Sequence, residues 1–234
     1  MGYDIIIIED EIDLGNVISE YLRLRGFSVR WFKTSKEALD YYCGSPAINK
    51  LVIVDVQLPD MNGFDLAAEI VKINAHQPFF FLTAHNEKQD RIRGLKLGAI
   101  DYISKPFEIE ELVLRIGNII KKFADTPTPA GQAEQVYIDI ADIRYHTNQL
   151  FLLMPDNREI ALTVREAEVL DQLARNINNV VKKKDILFAL WGNDDYFNGK
   201  SLEVFISRLR RLFKASNQVS IENIYGMGYI LKVK

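Results

Sequence analysis

Three acidic side chains in the first half of the chain directly follow apolar runs. Asp55 ends the run of residues 51–54, and Glu9 and Asp10 follow the four isoleucines of residues 5–8. A carboxylate that is partly withdrawn from water is costly unless a cation or a hydrogen-bond donor lies beside it. Three converging carboxylates repel one another, and a divalent cation with oxygen ligands removes that repulsion. Mg²⁺ fits, because it takes one or two carboxylates and keeps waters that a phosphate can replace.

Two more polar side chains occur in the same setting. Thr83 follows the apolar residues 79–82, and Lys105 follows residues 101–104. An aspartate carboxylate can attack phosphorus and form an acyl phosphate. A threonine hydroxyl can then hydrogen-bond a phosphoryl oxygen, and a lysine can offset the charge that gathers there during transfer. Each residue alone also suits an ordinary cap or turn, but their joint placement favours phosphoryl chemistry at Asp55.

Apolar runs of strand length alternate with amphipathic stretches of helix length throughout the first half. The predicted strands are DIIIIE, FSVRWF, LVIVD, PFFFLT and IDYIS, and the predicted helices cover residues 13–25, 35–43, 64–73, 87–96 and 107–123. Five strand–helix units predict a parallel sheet with helices on both faces. Functional groups of such sheets lie at the carboxyl ends of the strands. The five polar residues that could carry chemistry all lie there.

The second half follows a different pattern. Residues 124–135 contain two prolines, a glycine and small polar residues, which is typical of a linker. Short strands are predicted at residues 136–140, 143–146, 149–153 and 158–161, and helices at residues 163–176, 182–191 and 201–215, before a glycine-turned hairpin. Thr163 and Glu166 have the spacing of a capping box at the start of the first of these helices. This order predicts an α+β winged-helix domain over residues 136–234, joined by the linker to an α/β domain over residues 1–123.

Composition limits the class of protein. The 234 residues are 48% hydrophobic, enough for two cores. No apolar run approaches the length that spans a bilayer, and a single cysteine excludes an intramolecular disulfide framework. We therefore expect a cytoplasmic protein without a membrane segment. The formal charge is −3 for residues 1–123 and +2 for residues 136–234, which weakly favours an acidic partner for the second domain.

The last predicted helix has one apolar and one basic face. Leu202, Ile206, Leu209 and Phe213 fall on one side of a helical wheel and should be core. The opposite side carries Lys200, Val204, Ser207, Arg208 and Arg211. Arginine suits guanine or phosphate and valine a thymine methyl group, so this face suits the major groove of DNA. A solvated basic face is the alternative interpretation.

The motifs IIIIEDE, VDVQLPDMNGFDL, FFFLTAHN and DYISKPF of residues 1–123 resemble the receiver domain of bacterial two-component response regulators. This resemblance implies a CheY-like, doubly wound five-stranded parallel sheet. It also implies that a sensor histidine kinase phosphorylates Asp55 and that Lys105 contacts the phosphoryl group. Mg²⁺ would be held by Glu9, Asp10, Asp55 and the backbone carbonyl of Gln57. Thr83 and Tyr102 would move together on phosphorylation.

The motifs LTVREAEVLDQLARN, DILFALWG, SLEVFISRLRRLF and NIYGMGYIL resemble the winged-helix effector domain of the OmpR/PhoB family. By that resemblance Ser201, Arg208 and Arg211 are helix contacts to DNA, Tyr229 belongs to the wing, and residues 192–200 form a loop that can contact RNA polymerase. Members of the family usually carry arginines where this chain has Tyr225 and Ile230. We therefore expect DNA binding that is weaker and more helix-dominated than in a typical member.

The dimer face of the family's receivers is also largely present. Arg91 with Glu111 and Asp101 with Arg115 match its intersubunit ion pairs. Leu95 and Val113 match its small apolar patch, whereas Ile100 replaces an acidic residue of that face. These matches imply a homodimer on activation.

The sequence therefore predicts a response regulator and not an enzyme with a separate substrate. Phosphorylation would promote dimerisation, which would place two winged-helix domains on adjacent DNA half-sites. One alternative is a regulator of the same fold that is permanently dimeric and independent of phosphorylation. Another is a Mg²⁺-dependent aspartyl phosphatase, but such an enzyme should carry a second acid two residues after its nucleophile, where this chain has Gln57.

Overall fold

The computed structural model describes residues 3–44, 49–84, 88–124, 137–192, 194 and 196–234. The chain divides into two compact units, Met1–Ala130 and Gly131–Lys234. All of the predicted linker except residue 124 lies outside the described residues. Among the residues that are described, no helix is both long and apolar enough to cross a bilayer.

The first unit is a five-stranded sheet with helices on both faces. Its elements are β1 (Ile5–Ile8), α1 (Ile12–Leu24), β2 (Val29–Phe32), α2 (Ser35–Gly44), β3 (Leu51–Asp55), α3 (Gly63–Ile73), β4 (Phe79–Thr83), α4 (Lys88–Leu97), β5 (Tyr102–Ser104) and α5 (Ile109–Ala124). The strand order is β2-β1-β3-β4-β5 and every pair is parallel. The predicted doubly wound parallel sheet is present.

Side-chain alternation divides the core of this unit into two layers. Ile6 and Ile8 of β1 pack in one layer with residues of α2 and α3, whereas Ile5 and Ile7 pack in the other layer with residues of α1 and α5. Both faces of the strand are covered, which is why the sequence here is a continuous aliphatic run. The parallel register aligns Ile8 with Val54, so β1 and β3 end at the same edge of the sheet.

The described residues of the second unit form two small antiparallel sheets and three helices. Its elements are β6 (Tyr137–Ile140), β7 (Ile143–His146), β8 (Phe151–Leu153), β9 (Glu159–Ala161), α6 (Val164–Ala174), β10 (Val180–Lys182), α7 (Lys183–Trp191), α8 (Tyr196–Phe213), β11 (Val219–Ile224) and β12 (Gly228–Val233). The first four strands form a meander, and the last three form a sheet of order β10-β12-β11. The capping box of Thr163 and Glu166 is present as predicted.

Two features of this unit differ from the sequence prediction. Helix α8 begins at Tyr196 and not near residue 201, because Asn198, Ser201 and Leu202 are buried and extend the core face of the helix toward its N-terminus. Residues 196–200 of the predicted polymerase-contact loop are therefore helical. Strand β10 was not predicted, since its three residues are held by pairing with the distant strand β12.

Candidate functional site

The carboxyl ends of β1, β3 and β5 bring two buried carboxylates and a lysine together. Glu9 is fully buried and Asp55 is only 4% exposed. Lys105 Nζ donates to Glu9 Oε2 at 2.8 Å and to Asp55 Oδ2 at 2.7 Å. Asp10 is exposed at the mouth of the same cluster. The sheet therefore places together the residues that the sequence predicted to meet.

The loop after β3 fixes the orientation of Asp55. The Gln57 backbone N–H donates to Asp55 Oδ1 at 3.0 Å, and the Gly63 N–H donates to the Val56 carbonyl at 2.8 Å. Asn62 then caps α3 by accepting a hydrogen bond from the Phe64 N–H at 2.9 Å. A Cβ atom on Gly63 would overlap the carbonyl oxygen of Asp55. This close backbone approach explains the glycine.

Trp31 supports the acidic end of β1, a role that the sequence did not indicate. Its indole Nε1–H donates to the Glu9 carbonyl at 2.8 Å. The ring also lies against α1 where Gly15 has no side chain, since a Cβ there would overlap the indole. No spacing or composition signal marks a tryptophan on an edge strand as part of this site.

The acidic cluster can hold a divalent metal ion. One carboxylate oxygen from each of Glu9, Asp10 and Asp55 lies within 4.8 Å of the others. An all-oxygen donor set with an exposed member suits a hard cation that keeps some of its waters. Gln57 is exposed beside Asp55, and the role of its carbonyl as a fourth ligand stays a prediction.

Burial and neighbouring charges shift the pKa values of Glu9 and Lys105. Burial, followed by the charge of Asp55, raises the pKa of Glu9 from its ordinary value of 4.5 to about 7, although the hydrogen bond from Lys105 opposes the shift. Burial acts to lower the pKa of Lys105, but hydrogen bonds to Asp55 and Glu9 outweigh it and raise that pKa. The lysine therefore stays charged while Glu9 competes for a proton near neutral pH.

We expect the metal-free protein to lose stability as pH rises from about 4.5 to about 7. The folded state binds more protons than the unfolded state in this window, because the pKa of Glu9 is higher in the folded state. Glu9→Gln should remove this component, which is on the order of 1–3 kcal/mol. The measurement is urea unfolding of wild type and Glu9→Gln, with chelator, at several pH values. The prediction is contradicted if the free energy of unfolding depends on pH in the same way for the two proteins.

Thr83, at the end of β4, and Tyr102, at the start of β5, lie together. Thr83 is fully buried, Tyr102 is 6% exposed, and the two side chains share a hydrogen bond. Burial raises the pKa of the Tyr102 hydroxyl, and the hydrogen bond to Thr83 opposes that shift. The Tyr102 ring packs at a tilt on Phe81, with 6.1 Å between ring centroids. The predicted pair is in contact, and its movement stays a prediction.

The apolar residues of the predicted dimer face are buried, and their part in a dimer stays a prediction. Leu95 and Val113 are 4% and 3% exposed, because both are buried within their own subunit, so they form no exposed patch. Ile100 is likewise buried, at 1%. Ile100 therefore adds no exposed side chain to this face.

The charged part of that face is accessible. Arg91 is partly exposed, and Arg115 donates to Asp101 Oδ2 at 3.2 Å and lies 2.8 Å from Glu111 Oε1. These contacts are made within one chain. An ion pair between two subunits would therefore have to replace these contacts or share the same side chains.

Helix α8 of the second unit has the predicted apolar face and a partly basic opposite face. Leu202, Ile206, Leu209 and Phe213 are buried. The predicted DNA-facing residues that are at least partly exposed are Lys200, Val204, Ser207, Arg208 and Arg211. Lys200 lies 2.8 Å from Glu203 on the same helix.

Two of the predicted DNA contacts are buried in this structure, and a third is held in an ion pair. Ser201 is 3% exposed and Tyr229 is 5% exposed, so neither side chain is available to DNA in this structure. Arg208 Nε lies 2.5 Å from Glu166 Oε1, and its side chain is 21% exposed. The contact directs Arg208 toward the capping box of α6. Ser207 and Arg211 remain as the exposed members of this set on the later part of the helix.

This arrangement is an α/β domain with an acidic cluster at one edge of its sheet, followed by a winged-helix domain, and comparisons agree with both folds. Residues 5–117 match the family described as response regulator receiver domain, and residues 157–231 match the family described as transcriptional regulatory protein, C terminal. The chain is 34% identical to the transcriptional regulatory protein RprY of Bacteroides fragilis, over 97% of this chain and 93% of that protein. It is 31% identical to the response regulator SaeR of Staphylococcus aureus, over 96% of each.

Solved structures agree in fold. A single-residue mutant of RitR superposes with a TM-score of 0.75 at 24% identity, covering 98% of this chain and 99% of that one. The Thermotoga maritima OmpR/PhoB homolog DrrB gives a TM-score of 0.51 at 22% identity, covering 99% of this chain and 100% of the other. The chain belongs to the OmpR/PhoB family of response regulators. It is a two-component transcription regulator, as the sequence predicted.

Proposed function

We propose that Asp55 accepts a phosphoryl group from a sensor histidine kinase and that phosphorylation increases DNA binding. The observation that carries this proposal is the setting of the Asp55 carboxylate. It is buried between Lys105 Nζ and the Gln57 N–H, and a metal-binding set of oxygens lies at the same edge. A structural cap would need neither the lysine nor the second and third carboxylates.

The geometry supports a direct displacement at phosphorus. An Asp55 carboxylate oxygen would form the new O–P bond while the P–N bond to the donor imidazole breaks, and the imidazole would leave with the bonding electrons. Lys105 would stay protonated and offset charge on the phosphoryl oxygens, which its raised pKa favours. Mg²⁺ bound by Glu9, Asp10 and Asp55 would supply further neutralisation of that charge.

The expected output is a change in the Thr83–Tyr102 pair that reaches α4, β5 and α5. Thr83 would turn its hydroxyl toward the phosphoryl group, so its hydrogen bond to Tyr102 would be lost or altered. A local charge that biases two packing arrangements is a common basis for such switches. Dimerisation through the charged face would then place two winged-helix domains on tandem half-sites of double-stranded DNA.

The direct test treats the full-length protein with acetyl phosphate and Mg²⁺ and measures its affinity for DNA. The probe is a duplex selected by the phosphorylated protein from random oligonucleotides. We expect phosphoprotein formation and tighter binding than without the phosphodonor. DNA binding that is equally tight with and without phosphorylation would favour the permanently dimeric alternative.

We expect Arg115→Ala to weaken phosphorylation-dependent dimerisation several-fold. Arg115 lies at the centre of the charged face, beside Asp101 and Glu111, and its side chain is 47% exposed. An exposed ion pair contributes only about 0–1 kcal/mol, so the effect should be partial. Sedimentation velocity of the protein activated with beryllofluoride measures it.

A matched control is Lys72→Ala. Lys72 belongs to an exposed ion pair with Glu69 on α3, which is not one of the elements that carry the proposed face. The Lys72→Ala substitution should leave dimerisation unchanged. Equal dimerisation of the Arg115 variant and wild type would argue against this face.

A further inference from the structure

The backbone of Glu9 is held by β2 on both sides of its α-carbon. The Glu9 N–H donates to the Phe32 carbonyl at 3.1 Å, and the Glu9 carbonyl accepts a hydrogen bond from Trp31 Nε1 at 2.8 Å. That carbonyl belongs to the peptide unit that joins Glu9 to Asp10, and both residues contribute oxygens to the acidic cluster. One side-chain donor therefore restrains the plane of the peptide between two candidate metal ligands.

The Trp31 ring is itself held by two contacts. It lies where Gly15 of α1 has no side chain, since a Cβ on Gly15 would overlap the indole atoms Cε2 and Cζ2. The ammonium group of Lys33 lies 5.1 Å from the centroid of the ring, within the range of a cation–π contact. A donor whose ring is held in this way has a fixed direction.

Asp10 depends on this restraint more than Glu9 does. The Glu9 side chain is fully buried and accepts a hydrogen bond from Lys105 Nζ at 2.8 Å, whereas Asp10 is exposed at the mouth of the cluster. Packing does little to hold an exposed carboxylate, so the direction of the Asp10 side chain depends on the backbone before it. Hydrogen bonds just outside a set of metal ligands commonly orient the ligands and set their affinity for the metal.

We propose that Trp31 is a positioning residue for the metal ion of the phosphorylation site. Its N–H group holds the Glu9–Asp10 peptide in the orientation that lets both carboxylates reach one Mg²⁺ ion, and the missing side chain at Gly15 leaves space for the indole. Trp31 acts through these ligands and is not itself a ligand. The inference rests on the proposed function, in which Glu9, Asp10 and Asp55 bind Mg²⁺, and it assigns part of that affinity to a residue outside the cluster.

The test measures the Mg²⁺ affinity of the full-length protein by calorimetry at one fixed pH. Trp31→Phe removes the N–H donor and keeps an aromatic ring, and we expect it to bind Mg²⁺ about tenfold more weakly. Gly15→Ala keeps the donor but displaces the indole, so it should also weaken binding.

Phosphorylation by acetyl phosphate gives a second readout for Trp31→Phe. The variant should need about tenfold more Mg²⁺ to reach half of its maximal rate. Its rate at saturating Mg²⁺ should stay within about twofold of wild type, because a change in binding alone leaves the maximal rate unaltered.

A double variant separates the hydrogen bond from packing. Phenylalanine lacks the second ring of the indole, so in Gly15→Ala/Trp31→Phe the new methyl group no longer overlaps it. We expect the double variant to be more stable than Gly15→Ala alone in urea unfolding with chelator. It should still bind Mg²⁺ as weakly as Trp31→Phe, because the donor is missing from both.

Two controls address the loss of a tryptophan and the loss of core packing. Trp191→Phe replaces the other tryptophan of the chain, which lies 4.9 Å from the Arg165 guanidinium in the second unit. Ile18→Val removes one buried methyl group from α1, in the core layer against which Trp31 packs. Both variants should bind Mg²⁺ like wild type, although Ile18→Val should unfold at a lower urea concentration.

Three results would overturn the inference. If Trp31→Phe binds Mg²⁺ as tightly as wild type, the donor does not position the ligands. If the double variant recovers the wild-type affinity, the packing of α1 on β2 is sufficient without the hydrogen bond. If Ile18→Val loses as much affinity as Trp31→Phe, the affinity follows the stability of the receiver in general. Failure of the wild-type protein to bind Mg²⁺ would instead overturn the proposed function itself, so the two failures are distinguishable.

Discussion

Asp55→Asn should abolish phosphorylation of the chain and remove the phosphorylation-dependent gain in DNA affinity. An asparagine amide has nearly the same shape as the carboxylate but is not a nucleophile toward phosphorus. The loss should be complete and not partial, because Asp55 is the carboxylate that both the Gln57 N–H and Lys105 Nζ hold in place. Intact-mass measurement after treatment with acetyl phosphate and Mg²⁺ checks the prediction.

The same variant should fold at least as well as wild type. The charge of Asp55 contributes to the raised pKa of Glu9, so its removal should let that pKa fall and relieve repulsion in the cluster. Lys105 keeps Glu9 as a partner. Loss of phosphorylation would therefore reflect chemistry and not unfolding.

A control for Asp55→Asn is available in the same loop. Asp60 is exposed, and its two carboxylate oxygens accept hydrogen bonds from the backbone N–H groups of Ser35 and Lys36. Asp60→Asn should still be phosphorylated. If the Asp55 variant carries a phosphoryl group, the acceptor is another residue, and if it regulates DNA binding fully without one, the protein is of the phosphorylation-independent kind.

The fold of the receiver was largely predictable, because short apolar runs indicate its buried strands and parallel strands all run in the same direction. A four-residue aliphatic run must be buried on both faces, and parallel strands must place their carboxyl ends at one edge. Those two rules were enough to bring Glu9, Asp55 and Lys105 together. They carry no information about Trp31, whose contact with the Glu9 carbonyl depends on how the edge strand packs against α1.

The second unit differs from the prediction where an element packs against neighbours on more than one side. Helix α8 packs against α6, α7 and β11, so its buried face is wider than a wheel centred on Leu202 suggests and includes Ser201. Strand β12 is the central strand of its sheet, between β10 and β11, and Tyr229 is buried there. Tyr229 pairs with Val181 of β10, the strand that the sequence did not predict, and its side chain is buried.

A similar reason applies to the dimer face. Leu95 and Val113 have the residue types of an exposed apolar patch, but both are buried in their own subunit. Sequence distinguishes apolar from polar positions and does not reveal whether an apolar side chain at the margin of a helix is covered within the subunit. The charged residues of that face are the part of the prediction that the structure leaves accessible.

Gly63→Ala should destabilise the receiver and disturb Asp55 together. A Cβ at this position would overlap the Asp55 carbonyl oxygen and lie 2.8 Å from the Val56 Cα. Both neighbours are backbone atoms, which cannot rotate away as a side chain can. Overpacking that forces the backbone to shift typically costs about 1–3 kcal/mol. Urea unfolding monitored by circular dichroism gives the stability change.

The rate of phosphorylation of Gly63→Ala should fall by more than the unfolded fraction of the variant accounts for. Moving Asp55 even slightly weakens its hydrogen bond from the Gln57 N–H and changes its distance to Lys105 Nζ, now 2.7 Å. The rate with acetyl phosphate should therefore fall under conditions where the variant is folded. Gly117→Ala on α5 is the matched control, because a Cβ there meets nothing within 4 Å, and it should be neutral or stabilise the helix by up to about 1 kcal/mol. If Gly63→Ala is as stable and as readily phosphorylated as that control, the close backbone approach does not position the acceptor, and the orientation of Asp55 must depend on Lys105 and Gln57 alone.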